Sequence, residues 1–586
     1  MWRMARTVGV GYQDFARIRE RAVFYVDKTN FIREWWEGKD EVTLIARPRR
    51  FGKTLNLSMV EKFFSVQYEG REDLFQGLAV WESEEYRKLQ GSYPVISLSF
   101  ANVKEKSYAA TIRRINQILT NLYSVYRFLA GDGGLDNRER RFFDSVDVDM
   151  DESTATMAIH QLSSYLSRYY GKKVIILLDE YDTPMREAYV NGYWDELVSF
   201  TRSMFNSSFK TNPYLERAIM TGITRVTKES IFSDLNNLKV VTTTSEKYMD
   251  CFGFTEEEMF AALDEFGFSD RKQEVKRWYD GFIFGSCTDI YNPWSIINYL
   301  STGKLGSYWA NSSSNRLAGE LIREGSKEMK QLMEDLLSEK TIVMEIDEQI
   351  VYDQLKTKRN AVWSLLLASG YLKAVNVEFT EQEGRTYYEL QLTNKEVKVM
   401  FEAMVRDWFS ETEGTYNDFI KAMLLDDMDA MNEYMNRVTM TVFSYFHPSV
   451  SLKLPVDVSG ADTGKDSSQE EPERFYHGFV LGLMVELSNR YILTSNRESG
   501  FGRYDVMLEP LDPEKDAGII MEFKVFQPRK ETCLEDTVEA ALKQIEEKEY
   551  RAALMMRGIP KERIRMYGFG FRGKQVLIGN RDQSDI

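Results

Sequence analysis

Cysteine is scarce in this chain of 586 residues: Cys251, Cys287 and Cys533 stand apart with no pairing pattern. That excludes a cysteine zinc site and suits a reducing cytoplasm, where we place the chain. Histidine is equally scarce. His160, His447 and His477 are too dispersed for a histidine-rich metal centre and read as packing or surface residues. No apolar run reaches about 18 residues, so no membrane-spanning helix and no membrane partner are expected. The first residues, "MWRMARTVGV", are short and basic and lack an apolar signal core. Positive charge is in deficit: 75 Lys and Arg face 91 Asp and Glu, a net charge of −16. A nucleic acid would therefore be met only by local basic patches. One such patch lies in residues 1–60, with 12 Lys/Arg against 7 Asp/Glu. What the chain does have is apolar matter, 43% hydrophobic and 13% aromatic, enough for real cores. Its length allows about three to four domains.

The stretch "LIARPRRFGKTLNLSM" has the ending of a phosphate-binding loop, Gly52-Lys53-Thr54, but Arg47 stands where the leading glycine belongs. Val42–Ala46 reads as a strand. The apolar spacing from Lys53 onward reads as a helix. A strand, loop and helix in this order put backbone N–H groups and a helix dipole in front of phosphates. Lys53 would reach the β and γ oxygens and Thr54 would hold Mg²⁺. The geometry asks for a backbone shape, not for a particular side chain at position 47. Arg49, Arg50, Phe51, Gly52, Lys53 and Thr54 form the expected nucleotide contact set, and the local arginines serve it. "KKVIILLDEYD" is a five-residue apolar run that ends in Asp179-Glu180. Such a run reads as a central parallel strand. Asp179 would hold the Mg²⁺ through water, and Glu180 would polarise the attacking water. "RAIMTGITRV" adds a strand that ends in Thr221, a candidate sensor of the γ-phosphate, with Arg225 just beyond. Strands at Val42–Ala46, Pro94–Phe100, Val174–Leu178 and Ala218–Thr221 make a P-loop sheet.

From about residue 250 the pattern turns helical. Thr255 and Glu258 form a capping box, and Asn292-Pro293 starts another helix. Trp278, Tyr279, Phe282, Tyr291 and Trp294 read as the core of a small lid. A hairpin is expected in "YLKAVNVEFTEQEGRTYYELQLTN", within a mainly helical, winged-helix-like middle region. Residues 455–475 are the most polar stretch and read as a mobile loop or linker.

The tail holds a second set of acids. "FYHGFVLGLMVELSN" is an apolar helix with one acid, Glu486. Asp505 heads a strand in "GFGRYDVMLEP", and "AGIIMEFKVF" puts Glu522 and Lys524 on one face of the next. The helix in "DTVEAALKQIEEKEY" presents Gln544 beside its apolar face. A lysine two residues from a carboxylate on an apolar strand is costly unless it has work to do. Asp505 and Glu522 would bind Mg²⁺ as hard oxygen ligands, with Glu486 completing the shell. Lys524 would position water and neutralise developing charge.

Taken together, "FYVDKTNFI", "RPRRFGKTLNLSM", "LLDEYDTP", "TGITRVTKESIFSDLNNL", "WYDGF", "YNPWSI", "FYHGFVLGL", "GRYDVML", "IIMEFKV" and "ALKQIEEKEY" resemble bacterial proteins that fuse an AAA-ATPase-like domain to a C-terminal PD-(D/E)XK nuclease domain. In that family the loop itself reads RPRRFGKT. The resemblance implies an α/β chain with a P-loop domain over 1–245, a helical lid over 246–310, a middle domain over 311–450, a linker over 451–475 and a nuclease-like domain over 476–586. It implies ATP at Lys53, Thr54 and Asp179 with Glu180 as acid/base. It also implies a Mg²⁺ nuclease centre at Glu486, Asp505, Glu522 and Lys524, supported by Gln544. DNA, before RNA, is the expected partner, in DNA processing or defence against foreign DNA. The alternatives are an NTPase switch whose nuclease-like fold only binds, and a motor or loader. A homo-oligomer stays open.

Overall fold

The computed structural model describes residues 6–131, 134–224, 231–232, 235–310, 316–323, 327–337, 339–346, 360–381, 384–407, 413–442, 484, 487, 490–495, 498–499, 502–503, 505–528, 530–573 and 575–581. The chain divides into two compact units. One comprises Met1–Glu324 with Asp335–Met400, the other Gly325–Glu334 with Phe401–Ile586.

Apolar runs organise the first unit. Strands β1 (Val42–Ala46), β2 (Val95–Ser99), β3 (Val174–Asp179), β4 (Leu215–Gly222) and β5 (Leu238–Val241) form a parallel sheet in the order β2-β3-β4-β1-β5. β1 and β3 are buried along their whole length, as strands covered on both faces must be. β4 is longer than its apolar core indicates, and β5 was not foreseen. It has four residues, lies at the sheet edge and is largely half-exposed, so no apolar run announces it. The register sets Ile45 against Thr221 and Ala46 against Gly222, and Ser99 against Asp179. The carboxyl ends of neighbouring strands thus finish together, where open α/β sheets bind their ligands.

Beyond the sheet, Thr255 Oγ1 accepts from the Glu258 N–H at 3.3 Å while Glu258 accepts from the Thr255 N–H at 2.8 Å. This closes the capping box at the start of the helix Glu256–Glu265. Asn292 caps the helix Pro293–Thr302 by accepting from the Trp294 and Ser295 N–H groups. Tyr279 and Tyr291 are fully buried among Met259, Leu263, Val275, Ile296 and Tyr299. Phe282 turns instead to Phe51, ring centroids 4.7 Å apart. A hairpin of β6 (Phe282–Phe284) and β7 (Cys287–Ile290) follows the helix Lys272–Tyr279. A three-stranded antiparallel sheet comes later, with β8 (Ile342–Glu345), β9 (Leu372–Thr380) and β10 (Arg385–Leu392) in the order β8-β10-β9. The hairpin read from the sequence is β9–β10.

The second unit is built on a mixed sheet. Strands β11 (Tyr491–Ser495), β14 (Val506–Pro510), β15 (Gly518–Val525), β16 (Ile564–Arg572) and β17 (Gln575–Asn580) are adjacent in that order, and only β15–β16 is parallel. Two short strands, β12 (Glu498–Ser499) and β13 (Gly502–Arg503), pair with each other. One face of the sheet, with Met507 and Ile520, packs on Val538, Leu542 and Ile545 of the helix Leu534–Glu547. The other, with Met521, Phe523 and Phe569, packs on Met423, Met431 and Met435 of the helices Glu413–Leu425 and Met428–Val442. The polar stretch read as a linker, and Glu486 with most of the helix expected around it, lie outside the described residues.

The open edge of β17 is closed by two asparagines. Asn432 accepts from the Ile578 N–H at 2.8 Å and donates to its carbonyl at 2.9 Å. Asn436 does the same for Val576, at 2.9 and 2.7 Å. Four helical residues advance about 6 Å and two strand residues about 6.7 Å, so amides one turn apart meet alternate strand positions. The pair acts as a substitute strand on an edge otherwise open to pairing. Asn432→Leu or Asn436→Leu, each stranding one N–H and one C=O, is expected to lower stability by about 1–3 kcal/mol in chemical denaturation.

Asp280 gives a second prediction. Burial, aided by the charge of Asp289, pushes its carboxyl up to about 6, with Lys276 and Lys373 opposing. A folded pKa above the ordinary value means stability present at low pH and lost as pH rises from about 4 through about 6. Relative to wild type, Asp280→Asn should gain stability across that window, read from denaturation midpoints at pH 4 to 8.

Candidate functional sites

The loop between β1 and the helix Lys53–Phe64 turns through two left-handed residues, Arg50 at φ 65° and Gly52 at φ 79°. Gly52 is the position where a side chain would be strained. Arg47 does not line this turn. Its side chain is fully buried and donates to the carbonyls of Thr242, Lys247 and Tyr248, with its guanidinium 4.6 Å from the Phe284 ring centroid. Burial pushes its pKa down to about 10. Arg47 thus bolts the start of the loop to the segment that follows β5. The missing glycine is replaced by an outside fastening.

Lys53 is buried and donates to the carbonyls of Arg47 at 2.8 Å and Pro48 at 2.7 Å. Burial pulls its pKa down, and Glu180, Asp182 and Asp179 raise it. Asp179, at the end of β3, accepts from Thr54 Oγ1 at 2.8 Å and from Thr221 Oγ1 at 2.6 Å. Burial raises its pKa, opposed by these two hydroxyls and Lys53. Three segments far apart in the chain therefore converge on one carboxylate. Thr54 and Asp179 offer hard oxygen donors side by side, the donor set that Mg²⁺ takes. Glu180, at φ 51°, donates its N–H to Thr221 Oγ1 at 3.2 Å, and its carboxylate accepts from Thr183 Oγ1 at 3.0 Å. The Arg49 pKa is lowered by burial and by Arg186, with Asp182 and Glu180 raising it. Two members of the expected contact set are engaged elsewhere. The Phe51 ring is fully buried against Phe282 and Phe284, which leaves only its backbone for a ligand. The Arg50 guanidinium lies 4.3 Å from the Trp294 ring centroid. Arg225 lies outside the described residues.

Asp182 is a residue the sequence reading passed over. Its carboxylate accepts from the Ile223 and Thr224 N–H groups and the Thr224 hydroxyl. It ties the turn after Thr221 to the acidic end of β3. The signal was the third acid in "DEYD", two residues past Glu180.

In the second unit, Val506, the first residue of β14, pairs with Met521 of β15, so Asp505 just before it lies near the Glu522–Phe523 step of β15. Asp505 accepts from the Phe523 N–H at 2.8 Å. Burial pushes its carboxyl up to about 6, against the Phe523 N–H and the Lys524 charge. Glu522 is buried and accepts from Gln544 Nε2. Gln544 Oε1 in turn accepts from Lys524 Nζ at 2.7 Å. The helix amide thus spans the carboxylate and the lysine that alternate along β15. Tyr550, also missed, belongs here. Burial and the charges of Glu522 and Asp505 push its pKa up to about 12, while a bond to Gln544 pulls it down. A lone tyrosine after a charged run carries no pattern in sequence. Glu486 lies outside the described residues, and its neighbours Met484 and Leu487 are buried.

These two arrangements define a P-loop sheet with a converged acid and, separately, a mixed sheet carrying D…ExK. Residues 9–232 match the family model described as predicted AAA-ATPase, and residues 471–581 match that of the PD-(D/E)XK nuclease superfamily. The chain therefore joins an AAA-ATPase-like domain to a PD-(D/E)XK nuclease superfamily domain, the pairing that the sequence motifs resemble. Over 392 residues, 66% of this chain and 68% of the relative, it is 25% identical to the "Uncharacterized protein in vnfD 5'region" of Azotobacter chroococcum mcd 1. Among the described residues no helix is long and apolar enough to cross a membrane.

Restoring the ordinary glycine should harm this loop. Arg47→Gly leaves the carbonyls of Thr242, Lys247 and Tyr248 without their donor, and is expected to cost about 3 kcal/mol in denaturation without tightening nucleotide binding.

Proposed function

We propose that the protein is a Mg²⁺-dependent nuclease acting on DNA, or secondarily RNA, under control of ATP bound at the phosphate loop. The observation that carries the reading is the set at the head of β14 and along β15: Asp505 bonded to the Phe523 N–H next to Glu522, with Lys524 joined to Glu522 through Gln544. The two family matches support it at the level of domain class. In the nuclease half, Asp505 and Glu522 would hold the cation. A divalent ion there supplies Lewis-acid charge and a more acidic bound water. The Lys524 ammonium, aimed by Gln544, neutralises charge that builds on the attacked phosphate. In the ATPase half, Thr54 and Asp179 would hold Mg²⁺. Lys53 exchanges the Arg47 and Pro48 carbonyls for phosphate oxygens, and Glu180 orients water once Thr183 releases it. DNA processing or defence is the setting that this pairing of domains favours.

The test is cleavage of single- and double-stranded DNA and RNA with Mg²⁺, with and without ATP, by wild type, Lys53→Ala and Lys524→Ala. Lys524→Ala is expected to lower cleavage about 100-fold or more and leave ATP binding intact. Lys53→Ala is expected to lose ATP binding and the response of cleavage to ATP. Wild type that leaves every substrate uncut overturns the nuclease half. ATP turnover without cleavage would favour a switch whose second domain only binds.

A further inference from the structure

The Arg49 carbonyl, in the middle of the phosphate loop, accepts two hydrogen bonds from beyond the sheet. Trp309 Nε1 donates at 3.0 Å and Asn292 Nδ2 at 3.4 Å. Arg50, the next residue, lies over Trp294. On the other side, Gly370 sits so close to Pro48 that a Cβ there would come within 2.8 Å of its ring. The loop is thus gripped from outside along Pro48, Arg49 and Arg50.

The residues that grip Arg49 and Arg50 come from two pieces of chain, the start of the helix Pro293–Thr302 and the segment around Trp309. One carboxylate joins them. Glu396 is fully buried; its Oε2 accepts from Ser295 Oγ at 2.8 Å, and its Oε1 from the Trp309 N–H at 2.6 Å and the Ala310 N–H at 3.3 Å. Burial raises its carboxyl pKa, and these donors pull it back. A carboxylate removed from water at this depth persists only when its donors are held in place, so it fixes them as firmly as they fix it.

The consequence lies in the peptide plane. A trans peptide is flat, with its C=O and the following N–H pointing opposite ways. Pinning the Arg49 carbonyl outward on Trp309 and Asn292 therefore turns the Arg50 N–H toward the other side of the loop. Backbone N–H direction is what a phosphate loop uses to bind anions. In most such loops the leading glycine leaves that direction to the loop itself; here position 47 is arginine, and the direction is imposed from outside.

We propose that Glu396 is a positioning residue for the nucleotide site: it holds Trp309 and Asn292 on the Arg49 carbonyl and so presets the direction of the Arg50 N–H in the phosphate loop. This rests on the reading of that loop as a nucleotide site. Trp309 and Asn292 touch the loop; Glu396 acts through them.

The experiment is ATP binding with Mg²⁺ by the full chain, measured by calorimetry alongside thermal midpoints, for wild type, Trp309→Phe, Glu396→Ala, Glu396→Gln and Trp309→Phe/Glu396→Ala. Trp309→Phe keeps the ring packing and removes the N–H. It is expected to weaken ATP about five- to tenfold, the worth of one hydrogen bond, with little change in midpoint. Glu396→Ala should weaken ATP about tenfold and Glu396→Gln should restore most of that loss. The double variant should bind no worse than Glu396→Ala, because both changes break the same path. Trp309→Phe with wild-type affinity overturns the proposal, whatever Glu396→Ala does to the fold. So do losses that multiply in the double variant. Wild type that binds no ATP overturns the nucleotide reading itself, a result these variants cannot imitate.

Discussion

A carboxylate taken out of water must be met by donors, and in this protein the donors come from far away in the chain. Asp179 ends a strand buried along all six residues. Two hydroxyls meet it, one 125 residues before it and one 42 after. Glu522 lies inside another buried strand and is met by Gln544, 22 residues on. Glu396 draws on donors 86 to 101 residues before it. In each case the energy of leaving an ion unsatisfied, several kcal/mol after relaxation, exceeds the modest worth of any one hydrogen bond. Burial of the acid therefore selects the tertiary arrangement around it.

The same imbalance governs the cations. Lys53 and Arg47 are both buried, and each donates to main-chain carbonyls. For Arg47 the fan of N–H groups reaches three carbonyls from two places after β5, a task that lysine's single point charge does not do. For Lys53 the two carbonyls belong to the loop it serves, so the ammonium and the loop hold each other in shape. The anomaly of an arginine at the leading position and the parked lysine are two parts of one fastening.

Patterns that depend on local period were legible. β1 occupies the expected residues and β3 exceeds its run by Asp179 alone, because a strand buried on both faces must be apolar throughout. The capping box at Thr255 and the cap at Asn292 follow from short-range hydrogen bonding that sequence spacing encodes. The convergence of Lys53, Thr54, Asp179 and Thr221, and of Asp505, Glu522, Lys524 and Gln544, was anticipated by residue type and order. What was not legible depends on direction or on long-range partners. Nothing local tells that Arg47 turns inward while Arg49 lies beside the acids. Nor does anything local tell that Asn432 and Asn436 complete a strand edge 140 or more residues on. β5 has too few apolar residues to register, and Tyr550 has no periodic companion. Phe51 was read by its place in a motif, yet its ring obeys its own hydrophobicity and packs on Phe282 and Phe284.

Both candidate sites hold their lysine on protein acceptors, and this has a consequence for ligand entry. On the proposed reading Lys53 would give up two carbonyl bonds to reach a phosphate, and those carbonyls would then need other donors or water. Lys524 keeps its bond to a side-chain amide that also holds Glu522, so its ammonium is already aimed. On that reading the first site must move its lysine off the loop to bind, whereas the second holds its lysine in place beforehand. A site that changes shape on binding can report occupancy to its surroundings, because the binding free energy is coupled to a movement. A preset site has only its affinity to offer. On the proposed reading, the phosphate loop, fastened by Arg47 at its start and by Trp309 at its middle, would be the element that responds, and the D…ExK face the element that acts.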